Sequence, residues 1–244
     1  MKVILTSSIG GSRKVEGVRV PAEISAYNGL LDRLKADWVP NAKVLLICSA
    51  SSEHEKNDSM CSCLKEAFPM SGLSISYIDI CDDRNMDVIE KLDDMDVLIL
   101  VGGHVPTQNR FMKQIRLRER LMNYDGVVIG WSAGSMNCAD VVYAGPELEG
   151  EAVDPTYERW ITGLGLTDIN IFPHFQYLRD DILDGMRLIE DITFEDSVGH
   201  EIIAINEESY IVIEDGQATL YGEAYRIKDK QMTQICKEGE CIRL

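Results

Sequence analysis

The stretch GVVIGWSAGS, residues 126–135, decides the fold and indicates the chemistry of this chain. Residues 127–129 are an uninterrupted apolar run, which is typical of a parallel strand buried on both faces. Ser132 follows between Gly130 and Gly134, and helix-compatible sequence continues to Asp140. A serine between two glycines at a strand-to-helix turn is the nucleophile-elbow pattern G-x-S-x-G. The sequence therefore predicts that Ser132 is a nucleophile.

The elbow pattern has a steric reason. The serine needs a strained backbone so that its hydroxyl stands clear of the sheet. Glycines on either side have no Cβ, so the strand and the helix can approach closely. The free N–H groups at the start of the following helix would suit an oxyanion. The plainer interpretation is a glycine-rich turn in which the serine only caps a helix.

Short apolar runs alternate with longer amphipathic runs through the first 140 residues. Strands are predicted at residues 3–6, 44–48, 73–78, 97–101 and 127–129, and helices at residues 21–36, 53–68, 85–92 and 106–122. This alternation predicts a parallel sheet with helices on both faces. Sites in such folds form beyond the carboxyl ends of the strands. Ser132 and the pair Gly102-Gly103 each follow a predicted strand, so we expect them at the same edge.

The pattern changes after residue 140. Residues 141–162 are irregular and acidic. A strand is predicted at residues 166–172, in the same sheet as the strands of the first 140 residues, and it ends at the tripeptide PHF. Residues 179–192 are amphipathic. Short strands are predicted at residues 202–205, 209–213, 218–221 and 224–227. No repeat or linker divides the chain, and we expect residues 1–244 to form a single domain.

The composition excludes several classes of partner. The 244 residues include 24 basic and 41 acidic side chains, a net charge of −17, which argues against binding nucleic acid or an anionic membrane. The seven cysteines lack the spacing of a zinc site and are typical of a reducing compartment. No signal peptide or membrane span is visible. We expect a cytoplasmic protein, monomeric or homodimeric, that uses no metal or cofactor.

A nucleophilic serine needs a general base. Of the four histidines, His174 is the strongest candidate, because it follows a predicted strand and Pro173 fixes the backbone before it. His104 follows the glycine pair and is expected to form part of the substrate pocket wall. His54 and His200 are expected to be solvated or structural.

The base in turn needs an acid to hold its tautomer. Glu207 and Glu208 lie in a turn between two predicted strands, whereas Glu147, Glu149 and Asp154 lie in the irregular stretch. Spacing alone does not choose among these five.

An oxyanion needs two N–H donors. The elbow geometry makes the backbone N–H of Ala133 one donor. Gly103 is the second candidate, because a glycine after a neighbouring strand lets the main chain approach the substrate.

Three segments together carry a resemblance to a known family: VGG at residues 101–103, IGWSAG at residues 129–134 and PHF at residues 173–175. They resemble the aspartyl dipeptidase, or peptidase E, family of serine peptidases, peptidase family S51. This family shares a fold with class I glutamine amidotransferases and has cyanophycinase as a relative. The resemblance implies a three-layer αβα fold with a mainly parallel, doubly wound sheet and short antiparallel strands at the C-terminus.

The resemblance also implies a Ser–His–Glu triad whose acid lies in a late turn, which by position is Glu207. Some descriptions place an acid between the nucleophile and the histidine, which here falls near Glu147 or Glu149. His104 stands where the family usually continues its glycine run, which alters the pocket wall. Arg179 is the nearest match to the arginine that binds a substrate aspartyl carboxylate, but the connecting segment is shorter here.

The leading hypothesis is a serine peptidase that acts on dipeptides or short peptides, including those with N-terminal aspartate. Ser132 would attack, His174 would transfer the proton, Glu207 would orient the imidazole, and Gly103 and Ala133 would hold the oxyanion. The alternatives are an esterase or amidohydrolase that uses the same serine, and a non-catalytic binding or sensor protein. Glutamine amidotransfer is disfavoured because the elbow holds serine rather than cysteine.

Overall fold

A computed structural model describes all 244 residues. The strands are β1 (Lys2–Thr6), β2 (Gly10–Val15), β3 (Val18–Ile24), β4 (Ala42–Ile47), β5 (Ile75–Cys81), β6 (Val97–Leu100), β7 (Val127–Trp131), β8 (Val141–Tyr143), β9 (Trp160–Thr162), β10 (Asn170–Phe172), β11 (Ile182–Leu183), β12 (Met186–Arg187), β13 (Glu201–Ile205), β14 (Tyr210–Glu214), β15 (Gln217–Tyr221), β16 (Ala224–Lys228), β17 (Gln231–Cys236) and β18 (Cys241–Arg243).

The α-helices are α1 (Leu30–Asp37), α2 (His54–Met70), α3 (Val105–Gln114), α4 (Leu117–Leu121), α5 (Ala133–Met136), α6 (Phe175–Leu178) and α7 (Phe194–Asp196). Short 3₁₀ segments cover Tyr27–Gly29 and Met86–Asp94, and a π-helical segment covers Leu188–Thr193. None of the helices is both long enough and apolar enough to cross a lipid bilayer.

The main sheet has eight strands in the order β18-β15-β14-β1-β7-β6-β4-β5. The five strands from β1 to β5 in this order are parallel, and β14, β15 and β18 extend the sheet in antiparallel fashion. Every residue of β6 is buried, which explains the apolar run that predicts it. Because β1 pairs with β7 in parallel and Thr6 lies opposite Trp131, the chain that follows each strand emerges at the same edge.

A second sheet has four strands in the order β10-β13-β16-β17. The sequence predicts the strand before His174 in the main sheet, and this is wrong. The position beside β1 is taken by β14, and β10 pairs instead with β13, with Phe172 opposite Ala204. An apolar run specifies burial but not which sheet buries it. A smaller core of its own, which includes Phe172 and Phe175, packs around this second sheet.

The predicted helix at residues 21–36 is also wrong in its first half. Residues 21–24 complete a β2–β3 hairpin whose turn holds Glu16 and Gly17 at positive φ, 50° and 82°. Asn28 and Gly29 then adopt positive φ, and α1 begins only at Leu30. Left-handed residues interrupt a helix wherever they fall.

Two other predicted helices are broken by left-handed residues. Arg116, with φ of 54°, separates α3 from α4 within the predicted helix at residues 106–122. Asp184 and Gly185, at φ of 53° and 80°, form the turn between β11 and β12 in the amphipathic stretch at residues 179–192. β17 and β18 are largely exposed strands that the sequence does not predict.

The helix after the elbow packs unusually close to the sheet. A Cβ added at Gly134 would lie 2.0 Å from the carbonyl oxygen of Leu100, a backbone atom of β6 that has no freedom to move aside. The glycine therefore sets the distance between α5 and β6.

We expect Gly134→Ala to destabilise the protein by about 3 kcal/mol, since the added methyl collides with backbone in a packed core. Thermal or urea unfolding followed by circular dichroism measures this. Gly216→Asn is the matched control, because Gly216 has open space around it and asparagine tolerates its φ of 72°. An unfolding midpoint for Gly134→Ala equal to that of the control would contradict the close approach.

Candidate active site

Ser132 occupies the strained backbone conformation that the elbow pattern predicts. Its φ and ψ are 52° and −116°, a region that residues with a side chain rarely adopt. Its N–H donates to the carbonyl of Thr6 at 2.9 Å, and its carbonyl accepts from the N–H of Ser135 at 2.8 Å. The strain is held by β1 on one side and by the first turn of α5 on the other.

A second serine fastens the elbow to β1. The hydroxyl of Ser135 accepts a hydrogen bond from the N–H of Thr6 and donates one to its carbonyl, both at 2.8 Å. A Cβ added at Gly130 would lie 2.5 Å from the Cα of Ser135, so glycine is required for this approach. The elbow is therefore fixed by backbone contacts on three sides.

His174 reaches the same edge from the second sheet. It follows β10 with φ of 58°, and its N–H donates to the hydroxyl of Ser7 at 3.0 Å. Ser7 directly follows β1 and donates in turn to the carbonyl of Asn206 at 3.1 Å. This buried serine holds the two loops together, and sequence analysis missed it. The only signal was a polar run, residues 6–8, at the end of a predicted strand.

Glu207 is the acid that the structure brings to His174. Nδ1 of His174 lies 2.5 Å from Oε2 of Glu207, and both side chains are 28% exposed. The N–H of Glu207 donates to the side-chain carbonyl of Gln176 at 2.8 Å, which fixes the turn. A carboxylate at Nδ1 leaves Nε2 of the imidazole to act on the nucleophile.

The other four candidate acids do not contact His174. Asp154 accepts hydrogen bonds from Thr156, and Glu208 accepts one from Asn28 through its backbone carbonyl. Glu147 accepts a 3.3 Å bond from the N–H of Val105. Glu149 lies exposed in the same loop as Glu147.

Ser132 and His174 together line two cavities. The first cavity, of about 330 Å³, has a largely apolar wall that includes Tyr143, Phe172 and Leu188. It also contains the carboxylates of Glu147 and Asp181. The second cavity, of about 190 Å³, is bounded by Gly102, Trp131 and polar side chains. Ser132 therefore lies between two separate spaces.

The glycine pair lies against the elbow. A Cβ added at Gly102 would lie 3.1 Å from the Cβ of Ser132, and one added at Gly103 would lie 2.4 Å from the Cβ of Ser49. The main chain therefore passes beside Ser132 at Gly102, whereas Gly103 packs against Ser49. Ala133 is fully buried as the first residue of α5.

His104 is not brought to either cavity wall. Its Nδ1 lies 2.8 Å from the hydroxyl of Thr107, and its Nε2 lies 3.0 Å from Oε1 of Glu151, outside hydrogen-bond geometry. The other oxygen of Glu151 accepts the N–H groups of Glu147 and Leu148, both at 2.9 Å. His104 thus lies beside the carboxylate that fixes the loop of Glu147 and does not line the first cavity.

Arg179 also lies outside the first cavity, contrary to the prediction that it binds substrate there. α6 ends at Leu178, which lines the cavity, and the next residue turns away. The guanidinium carbon of Arg179 lies 5.7 Å from the centroid of the Phe175 ring, and its Nε is 3.9 Å from Asp180. Its side chain is 50% exposed.

The two remaining histidines lie away from Ser132. His200 stacks on Trp160 with ring centroids 3.9 Å apart, and Nε2 of His54 lies 2.6 Å from Asp83. His54, Asp83 and Asp82 are the one grouping with ligand atoms close enough for a metal. Asp82 is already ion-paired with Arg84 at 2.7 Å, so this grouping is explained without a metal.

Glu147 is a carboxylate of the first cavity with a strongly altered pKa. The residue as a whole is exposed, but it lines the first cavity, where its Oε1 accepts the N–H of Val105. Burial raises its pKa from 4.5 to about 7. The negative charge of Glu151 adds to this, while the N–H of Val105 and nearby His174 oppose it. A carboxyl poised near neutrality beside a nucleophile is typical of functional sites.

The fold and site together define a class of protein. A mainly parallel α/β sheet with antiparallel C-terminal strands carries a strained serine, a histidine and a carboxylate at one edge, which is the arrangement of a hydrolase. The family model for peptidase family S51 matches residues 21–221. The chain therefore belongs to peptidase family S51, and the predicted resemblance is confirmed.

Two known proteins are similar to this chain. The crystal structure of a candidate peptidase E protein from Listeria monocytogenes EGD-e superposes with a TM-score of 0.57, over 96% of this chain and 98% of that one, at 15% sequence identity. A pyridoxal 5′-phosphate synthase subunit, PdxT, from Staphylococcus haemolyticus (strain JCSC1435) is 26% identical over 152 residues, covering 56% of this chain and 79% of the relative. The predicted three-layer, class I glutamine amidotransferase-like fold is confirmed.

We expect Glu147→Gln to stabilise the protein at alkaline pH and much less at acid pH. The folded-state pKa of about 7 exceeds the ordinary 4.5, so ionising Glu147 costs stability as the pH rises between these values. Melting temperatures measured from about pH 4.5 to about pH 8.5 should therefore diverge as the pH rises, with the variant higher. Glu149→Gln is the control, because it removes a carboxylate of the same loop that lies outside the cavity. A difference between Glu147→Gln and wild type that is constant with pH would contradict the raised pKa.

Proposed function

We propose that this protein is a serine peptidase that hydrolyses dipeptides or short peptides. The observation that supports this most directly is the contact between Nδ1 of His174 and Oε2 of Glu207 in a site whose serine has the elbow conformation. A strained serine, a histidine and a half-buried carboxylate meet at one sheet edge. Together they are the parts of a nucleophilic triad.

Each group has a defined role in this proposal. Nε2 of His174 removes the proton as the hydroxyl of Ser132 attacks the peptide carbonyl, and Glu207 stabilises the imidazolium that forms. The N–H groups of Ala133 and Gly103 hold the oxyanion. When the C–N bond breaks, His174 delivers its proton to the leaving amine. Water then attacks the acyl-enzyme by the same route and regenerates the serine.

The first cavity supports short substrates. Its volume of about 330 Å³ is near the lower end for small-molecule sites and does not accommodate a folded protein. Glu147 offers a carboxylate to the N-terminal ammonium of a substrate, and the ammonium would lower its pKa of about 7 and keep it ionised. A free N-terminus within reach of Ser132 is the arrangement of an exopeptidase.

The lining of the first cavity favours a neutral side chain at the substrate N-terminus over aspartate. Its wall is apolar, and its charged groups, Glu147 and Asp181, are both acidic. An aspartyl carboxylate there would meet like charges without a cation. Arg179, the candidate cation, lies over the Phe175 ring instead.

An esterase of the α/β-hydrolase type is a weaker alternative. That fold uses a histidine late in the chain, after the acid. His200 is the only histidine after His174, and it stacks on Trp160. A non-catalytic binding protein is also disfavoured, because the backbone strain at Ser132 would serve no purpose. A fluorophosphonate probe, which labels only an activated serine, distinguishes that alternative.

We expect Glu207→Gln to lower kcat for dipeptides by about 10³–10⁴-fold with little change in KM, because an amide at Nδ1 stabilises the wrong tautomer of His174. Ser132→Ala should lose activity by on the order of 10⁴–10⁶-fold while keeping its fold. Steady-state kinetics on a dipeptide library measures both. Glu208→Gln, which removes the neighbouring carboxylate, should behave as wild type, and equal losses in the two glutamine variants would refute the assignment.

We expect the wild type to prefer Ala-Leu and Leu-Leu to Asp-Leu, since the first cavity carries acids and no free cation. Arg179→Met should then change kcat/KM for Asp-Leu by less than about twofold. A selective loss of roughly 10-fold or more on Asp-Leu would instead show that Arg179 swings into the site and reads aspartate.

A further inference from the structure

The second cavity shares the nucleophile with the first but differs from it in charge. Ser132 and His174 line both spaces. The cations of the second cavity are Arg19, from β3, and Lys56, from α2. The charged groups of the first cavity are Glu147 and Asp181. The site therefore has an acidic side and a basic side with the nucleophile between them.

Arg19 is the cation of the second cavity that lacks a carboxylate partner. Its guanidinium donates to the hydroxyl of Ser12 at 2.6 Å and makes no ion pair. Lys56, by contrast, is paired with Glu53 at 2.7 Å. In a chain with 41 acidic and 24 basic side chains, an arginine left without an acid beside a nucleophile has charge available for a ligand.

The β2–β3 hairpin that carries Arg19 is anchored to α2. The N–H of Ile24 donates to the hydroxyl of Ser71 at 2.8 Å. A Cβ added at Gly11 would lie 2.7 Å from a methyl of Leu64, so the hairpin backbone lies directly on the helix. Arg19 is thus presented to the cavity by an ordered element rather than by a free loop.

We propose that the second cavity binds the C-terminal α-carboxylate of the leaving amino acid, with Arg19 as the recognising group. This rests on the proposed peptidase function. A zwitterionic dipeptide carries an ammonium at one end and a carboxylate at the other, and the acidic and basic cavities match these ends with the scissile bond at Ser132. A planar guanidinium can donate two parallel hydrogen bonds to a carboxylate.

The size of the second cavity restricts what lies beyond the scissile bond. Its volume of about 190 Å³ is below the roughly 300 Å³ of ordinary ligand sites, and it has room for a single residue. Hydrolysis of the C–N bond leaves a free amino acid there, whose new amine has taken its proton from His174. The enzyme is accordingly a true dipeptidase rather than an aminopeptidase acting on longer chains.

The test pairs a substrate change with a residue change. Wild type should hydrolyse Ala-Leu with kcat/KM about 10–100-fold higher than Ala-Leu-amide, which lacks the carboxylate. The substitution Arg19→Met should lower kcat/KM for Ala-Leu by about the same factor and leave kcat/KM for Ala-Leu-amide almost unchanged. Arg19→Lys should recover part of the loss. Arg13→Met is the matched control, since Arg13 lies exposed on the same hairpin and lines neither cavity.

Several results would overturn the proposal. If Arg19→Met lowers kcat/KM equally on Ala-Leu and on Ala-Leu-amide, Arg19 has a structural role. If it lowers kcat/KM on neither substrate, Arg19 is not part of the site. If Arg19→Met does not fold, the wild type is compared on Ala-Leu and Ala-Leu-amide alone. Equal rates on the two substrates then exclude carboxylate recognition. In each case, continued hydrolysis and fluorophosphonate labelling of wild type leave the peptidase function standing. A wild type that is neither labelled nor active overturns both.

Discussion

The double hydrogen bond between the hydroxyl of Ser135 and the backbone of Thr6 is the constraint on which the site depends. It occupies both the N–H and the carbonyl of the last residue of β1, at 2.8 Å each. The same carbonyl accepts the N–H of Ser132, and the next residue, Ser7, accepts the N–H of His174. The end of β1 therefore sets the positions of Ser132 and of His174 at once.

Ser7 also explains how two separate sheets build one site. Ser132 follows β7 of the main sheet and His174 follows β10 of the second sheet, whereas Glu207 lies in the turn that joins β13 of the second sheet to β14 of the main sheet. A buried hydroxyl that accepts from His174 and donates to Asn206 ties these loops to the main sheet. A buried hydroxyl without its hydrogen-bond partners lowers folding stability by on the order of 1–3 kcal/mol. The contacts of Ser7 therefore favour this one arrangement of the loops over others.

The sequence predicts those parts of the molecule that depend on local pattern. Buried parallel strands appear as apolar runs, and the elbow has a motif, so β7 and Ser132 are found directly. The partner sheet of β10 could not be predicted, because pairing with β13 depends on which neighbour is already taken. The sequence predicts Arg179 in the substrate pocket, but the direction of a side chain after a four-residue helix has no sequence signature. Arg19 has no motif at all, since only the folded hairpin brings it near Ser132.

The β2–β3 hairpin is a two-stranded sheet of its own, and most of it precedes the segment shared with the S51 family model. Its two strands pair only with each other, so none of the main sheet's ladder passes through it. Arg19 therefore lies on an element that is separate from the strands around Ser132. The length and sequence of the ribbon can vary without disturbing the strand pairing that positions Ser132.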